Sequence, residues 1–152
     1  SYIEKAFAIY DCEKFDWKLN RIFSTSKKLY SVDTGIVNLY SNTMNTYSKQ
    51  LENIVYLELN RRYPKVYYGA LQSGKEIDFI TKAENGRYKK YQVCRQLTPS
   101  NIDRELSSFA VSDSHLDREE NILLTLDRNA ETKIYAETKV EKRYLLQWLL
   151  DV

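Results

Sequence analysis

The most regular apolar spacing in the chain lies in YSKQLENIVYLELNRRYP, residues 47–64. Leu51, Ile54, Val55, Leu57 and Leu59 build one face, Ser48 offers a cap and Pro64 stops the run, so a helix is predicted. Three shorter segments follow in which apolar and polar residues alternate, KVYYGAL, KEIDFITK and RYKKYQVCR, and that period predicts strands. LTPSNIDRELSSFAV returns to helical spacing, with Pro99 in its first turn. NILLTL predicts a buried strand, TKIYAE a further one, and EKRYLLQWLLDV a closing amphipathic helix. Before residue 48 the pattern is weaker: a short helix, one or two strands, and KKLYSVDTGIVNLYS, where Asp33-Thr34-Gly35 turns the chain into a short helix. The order helix, three strands, helix, strand predicts a mixed α/β (α+β) fold, one central mixed sheet flanked by helices.

The hairpin SGKEIDFITKAENGRYKKYQVCRQ, residues 73–96, allows a register argument. A two-residue Asn85-Gly86 turn would set Phe79 beside Gln92 and mix both faces. A three-residue loop, Glu84-Asn85-Gly86 with Gly86 left-handed, instead pairs Phe79 with Tyr91 and Ile77 with Val93. That keeps one apolar face, so it is the predicted register. On the other face Asp78 meets Gln92 and Glu76 meets Cys94. Carboxylates and an amide that converge in this way suit magnesium or manganese, which take oxygen ligands with water completing the shell. Asp78, the Gln92 amide oxygen and the Val93 carbonyl are candidate ligands, with Glu52 on the preceding helix as a further carboxylate. A solvated polar hairpin face with no ion is the plainer alternative.

Residues 69–75, GALQSGK, imitate a phosphate-binding loop, but the next residue is Glu76 rather than Ser or Thr, and EIDFI alternates as a strand. A phosphate loop must open a helix whose amides receive the ligand, so no ATPase activity is expected of this chain.

Composition narrows the class. With 152 residues, 43% hydrophobic, the chain is large enough for one core of ordinary size. It has no apolar run near the roughly 20 residues of a membrane span and opens on no leader, so a cytoplasmic protein without membrane contact is expected. Cys12 and Cys94, two and far apart, make neither a disulfide framework nor a zinc spacing. Net charge is only +2, yet Lys75, Lys82, Arg87, Lys89, Lys90 and Arg95 gather around the hairpin, with Arg61, Arg62 and Lys65 just upstream. Tyr67, Tyr68, Tyr88 and Tyr91, four of 13 tyrosines, interleave with them. Cations with aromatic rings can track a phosphate backbone and stack on bases, so these residues are the candidate DNA or RNA surface.

Glu52 on a leading helix, then GKEIDFI, then YQVC, in this element order, resembles the PD-(D/E)XK nuclease-like fold, with its restriction-endonuclease-like core. More narrowly, KKLYSVDTGIVNLY, LENIVYLELNRRYPKVYYG, GKEIDFI and YQVC resemble the uncharacterised C-terminal domain of a prokaryotic AAA-type ATPase family. The resemblance covers roughly residues 1–135. It implies that 1–47 is the remnant of a winged-helix and linker segment, that 48–152 is the nuclease-like domain, and that an ATP-binding domain precedes both in the full-length protein. By its pattern Glu52 is the helix acid, Asp78 the metal-binding aspartate, Gln92 the second acid position and Cys94 the lysine position. The last two depart from it. Gln92 brings no charge, so magnesium or manganese would bind weakly, and Cys94 cannot act as a cation. Losing a general acid–base group costs about 10²–10⁴-fold in rate.

Three functions follow: a catalytically impaired domain that binds nucleic acid or protein beside its ATPase, an active metal-dependent nuclease with an altered site, or a purely structural interaction domain. Lys75, Lys89 and Lys90 are the lysines considered as stand-ins for the missing one. Glu105 on the second helix is a weaker candidate for the site, and His115 reads as a solvated loop residue. Trp17 and Trp148 read as core or interface anchors, and the last helix as packing on the core or on a second copy in a homodimer.

Overall fold

The computed structural model describes residues 8–15, 17, 26–35, 46–71, 74–113 and 119–151, and the architecture below is theirs. Two strands lead, β1 (Ile9–Lys14) and β2 (Lys27–Ser31), followed by helix α1 (Thr46–Arg62). Then come β3 (Val66–Ala70), β4 (Glu76–Lys82), β5 (Tyr88–Val93) and helix α2 (Ile102–Asp113). Strands β6 (Glu119–Thr125), β7 (Glu131–Tyr135) and β8 (Thr138–Tyr144) and the short helix α3 (Leu145–Leu150) complete the order. The eight strands make one mixed sheet, β2-β1-β3-β4-β5-β6-β8-β7. Pairing is parallel at β1/β3, β5/β6 and β6/β8 and antiparallel elsewhere.

Helices cover both faces. Leu51, Val55 and Leu59 of α1 and Leu145 and Trp148 of α3 pack with Phe79, Tyr91 and Leu124. Leu106 and Phe109 of α2 pack with Ile77, Ile80, Leu123 and Val140. Neighbours Leu123 and Leu124 fall into different groups because successive strand side chains point to opposite faces. Burial on both faces explains why β6 reads as a continuous apolar run. None of the described helices is long and apolar enough to cross a membrane.

The β4–β5 hairpin keeps the expected register near its turn: Phe79 pairs with Tyr91, Ile80 with Lys90 and Lys82 with Tyr88. Gly86 has φ +79°, its N–H donates to the Ala83 carbonyl at 2.9 Å, and Asn85 Oδ1 accepts from the Arg87 N–H at 3.0 Å. The expectation of a single apolar face fails. Tyr67 of β3 pairs with Ile80, yet Gly69 pairs with Ile77. Two residues along β3 are thus matched by three along β4, and Asp78 and Phe79 form a bulge opposite Tyr68. The extra residue reverses the alternation, so Ile77 packs under α2 while Phe79 packs under α1. Gly69 leaves room for this crossing: a Cβ there would lie 2.6 Å from Trp17 Cζ2 and 2.8 Å from Ile80 Cδ1.

Other boundaries move as well. The stretch EKRY belongs to strand β8 (Thr138–Tyr144) rather than to the closing helix, and only Leu145–Leu150 is helical. A two-residue loop, Ala136 and Glu137 at φ +46° and +69°, joins it to β7. Neither residue is Gly or Asn, so the usual turn signal was missing. Helix α1 starts at Thr46, which leaves Ser48 in its first turn rather than at its cap. Pro99 lies in the turn before α2, whose first residue is Ile102. Before residue 48, β1 and β2 extend the same sheet, and Cys12 and Tyr30 join the α1-side core. Gly69 and Ala70 end β3, Gly74 N–H donates to the Leu71 carbonyl at 3.0 Å, and Glu76 opens β4, so no helix follows the phosphate-loop imitation. The short helix expected around residue 36 shows only its start, Thr34 and Gly35; it and His115 otherwise lie outside the described residues.

Candidate functional site

The carboxyl end of β5, the start of β4 and the first turns of α1 and α2 enclose a cleft of about 590 Å³. Glu52, Asp78, Gln92 and Cys94 all line it, and Glu105 of α2 joins them. Periodicity explains the convergence: Glu52 lies one helical turn beyond Ser48, which also faces the cleft, while Gln92 on β5 and Cys94 just past its end sit two apart.

Beyond Phe79 and Tyr91, side chains take over the pairing between β4 and β5. Asp78 Oδ2 accepts from the Val93 N–H at 2.8 Å. The Asp78 N–H donates to Gln92 Oε1 at 3.1 Å, and Gln92 Nε2 donates to the Glu76 carbonyl at 3.4 Å. The bulge has displaced the backbone groups that would otherwise meet, so two polar side chains close the gap. The oxygen that Gln92 would offer a metal already accepts a backbone hydrogen. Burial and then the Glu52 charge push the Asp78 carboxyl well above the ordinary carboxylate range, up to about 8, against the opposing pull of the Val93 N–H and Lys28.

Lys28 is the site residue that reading the sequence missed. It comes from β2, and its Nζ lies 3.0 Å from Glu76 Oε2 and 3.5 Å from Glu52 Oε1. Burial opposes its charge, but Glu52, Glu76 and Asp78 outweigh burial and hold the ammonium above the ordinary lysine range. Tyr30, two residues along, donates its hydroxyl to Glu52 Oε1 at 2.6 Å and stacks on Tyr56 at 4.2 Å. No local signal marks Lys28 in KKLYS, because its partners lie 24 and 48 residues away.

Cys94 is 6% exposed, and burial first, then the charge of Glu105, pushes its thiol up to about 12. A neutral thiol supplies neither the cation of the lysine position nor a thiolate for a soft metal. Glu105 itself is held by Arg104, whose Nη2 lies 2.5 Å from its Oε1.

The residues present do not form a ready metal site. Among the described residues no three histidine, cysteine, aspartate or glutamate side chains are placed to hold one ion. Among the described residues Lys28 already stands beside Glu52 and Glu76, and Arg104 beside Glu105, so cationic side chains occupy carboxylates that a metal would need.

The basic candidates do not form one surface. Lys75 and Arg95 stand at the cleft, Arg95 over the Tyr47 ring at 5.3 Å. Lys82 and Arg87 are exposed at the opposite end of the hairpin. Lys89 pairs with Glu120 at 3.2 Å. Lys90 is fully buried, 0% exposed, with its Nζ 2.6 Å from Ser112 Oγ under α2. It therefore cannot contact a phosphate or stand in for the missing lysine. Trp17 is anchored in the core, its Nε1 donating to the Ala70 carbonyl at 2.8 Å. Leu145 and Trp148 of α3 are buried against the core too.

No protein-family model matches the chain, and no solved structure does. It is 32% identical over 98% of its length to an uncharacterised protein of Haemophilus influenzae, covering 35% of that protein. It is 29% identical over 91% of its length to an uncharacterised protein of Methanocaldococcus jannaschii, covering 31%. The chain thus spans about a third of the length of the curated relatives it matches.

Proposed function

We propose that the chain is a nuclease-like domain, C-terminal to an AAA-type ATPase, that has lost efficient phosphodiester cleavage and serves as a binding module for nucleic acid or protein. The cleft carries the proposal. The four residues picked out by the nuclease-fold resemblance line one concavity, yet the chemistry there is blunted. Water attack on a phosphodiester needs a group to accept the proton and a cation to face the developing charge. Gln92 has no charge to offer, Cys94 stays a neutral thiol, and Asp78 is biased toward its protonated form.

One observation favours a second reading, an active nuclease with a rearranged site. Lys28 brings an ammonium to Glu52 and Glu76 from a different strand, where it could face a developing charge. The deciding experiment incubates labelled single- and double-stranded DNA and RNA with Mg²⁺ or Mn²⁺, comparing the natural chain with Asp78→Ala and Lys28→Ala proteins purified identically. The impaired-domain proposal expects no cutting, or trace cutting equal in all three. Cutting abolished by both substitutions would replace it with the rearranged nuclease.

A further inference from the structure

A second concavity lies at the other end of β4, where β1 ends and β3 begins. Its volume is about 860 Å³, within the range of small-molecule sites, about 300–1,000 Å³. The seven residues of β4 rise about 3.3 Å each, which puts its ends roughly 20 Å apart. Groove and cleft are therefore separate places.

The floor is aromatic. Phe15, 4% exposed, packs against Tyr67 and Tyr88 with ring centroids 5.8 and 5.4 Å away. Both tyrosines are half-buried and line the groove. The rim is cationic: Arg62, Lys65 and Lys82 stand against one lining carboxylate, Glu84. Arg62 is a fixed charge, held by Glu58 at 2.6 Å and by the Trp148 carbonyl at 2.7 Å. Lys65 reaches Glu13 only at 3.8 Å with its side chain 64% exposed, a pair too solvated to hold it. Lys82 has no ion pair among the described residues, and its ammonium lies 5.5 Å from the Tyr88 ring centroid.

We infer that this groove binds a nucleoside phosphate, as one unit of single-stranded RNA or DNA or as a free nucleotide. A base stacked on Tyr67 or Tyr88 would displace the Lys82 ammonium toward the rim, where the phosphate meets Lys65 and Lys82. Such stacking reads no particular base, because every base has a π-face. An acidic peptide would satisfy the cations but leave the rings unused, and a neutral aromatic would do the reverse. The inference rests on the proposed function for its nucleic-acid partner but requires nothing of the cleft.

The test measures binding of fluorescein-labelled U and dT octamers, the matching duplex, and AMP to the 152-residue chain. Single strands are expected to bind, more weakly as salt rises. The exposed pair Lys65→Ala/Lys82→Ala should weaken binding about 10-fold or more and flatten the salt slope by about 1–2. Tyr88→Ala should weaken it about 10-fold at every salt concentration, and Tyr88→Phe should restore it. Ile134→Ala, on the exposed far-edge strand β7, should bind as the natural chain does. AMP binding with the same sensitivities, and no gain from the octamers, would assign the groove to free nucleotides. Strand binding indifferent to the Lys65/Lys82 and Tyr88 variants would overturn the groove while leaving nucleic-acid binding elsewhere intact. Equal binding of duplex, insensitive to Tyr88→Ala, would also overturn it, and no binding of any probe would end the nucleic-acid reading altogether.

Discussion

The two halves of the β4–β5 hairpin are built differently. From Phe79 and Tyr91 toward the turn, residues pair in one constant register, and Phe79, Ile80 and Tyr91 are buried between helices. One residue nearer the cleft, at Asp78, a bulge breaks the alternation and the side chains of Asp78 and Gln92 make hydrogen bonds that backbone would otherwise make. The first half is held by apolar packing, the second by polar groups that must also stay partly accessible. A strand can thus carry a core and a cleft in seven residues, provided that one extra residue re-aims it.

Substitutions in the two halves should separate these roles, most strongly in the regular half. Phe79→Ala removes a ring that is 0% exposed and should cost about 3–5 kcal/mol in a urea titration. Gly69→Ala presses on the bulge through Trp17 and Ile80 and should cost about 1–3 kcal/mol. Asp78→Ala strands the Val93 N–H, a loss of about 1–3 kcal/mol, and a smaller value would mean that water satisfies that group. Asp78→Asn keeps an acceptor and should leave stability near neutral pH unchanged or higher by about 1 kcal/mol, since it removes a carboxylate that burial disfavours.

That last substitution carries a pH signature. The folded Asp78 carboxyl titrates far above its ordinary value, so the fold binds its proton more tightly than the unfolded chain does. Its contribution to stability is complete below about pH 4 and is lost as pH rises toward the folded value. Thermal melts from pH 4 to 8 should show this decline in the natural chain and a flatter profile in Asp78→Asn. Equal slopes would remove Asp78 from the account.

Much of the hairpin was legible locally. Gly86 in a three-residue loop, with apolar residues in step on either side, sets the register near the turn. Glu52, Asp78, Gln92 and Cys94 were legible because helix and strand spacing aims them all at one end of the sheet. Glu105, the weaker candidate on the second helix, joins them there, 6% exposed. Lys28 was not legible, nor was the burial of Lys90, which looked like any other charge in RYKKYQ. Strand β8 was hidden by a turn without glycine or asparagine and by the leucines that follow it.

Elements with clear periods, the hairpin register near its turn and the mixed class of the fold are written locally, because they depend on interactions within a few residues. Which charges meet depends on the folded arrangement of the strands. Lys28 finds Glu52 and Glu76, Lys90 finds Ser112, and Ile77 crosses to the face opposite Phe79. Each outcome depends on how strands distant in sequence are laid side by side, and side-chain reach across a sheet leaves no period in the chain.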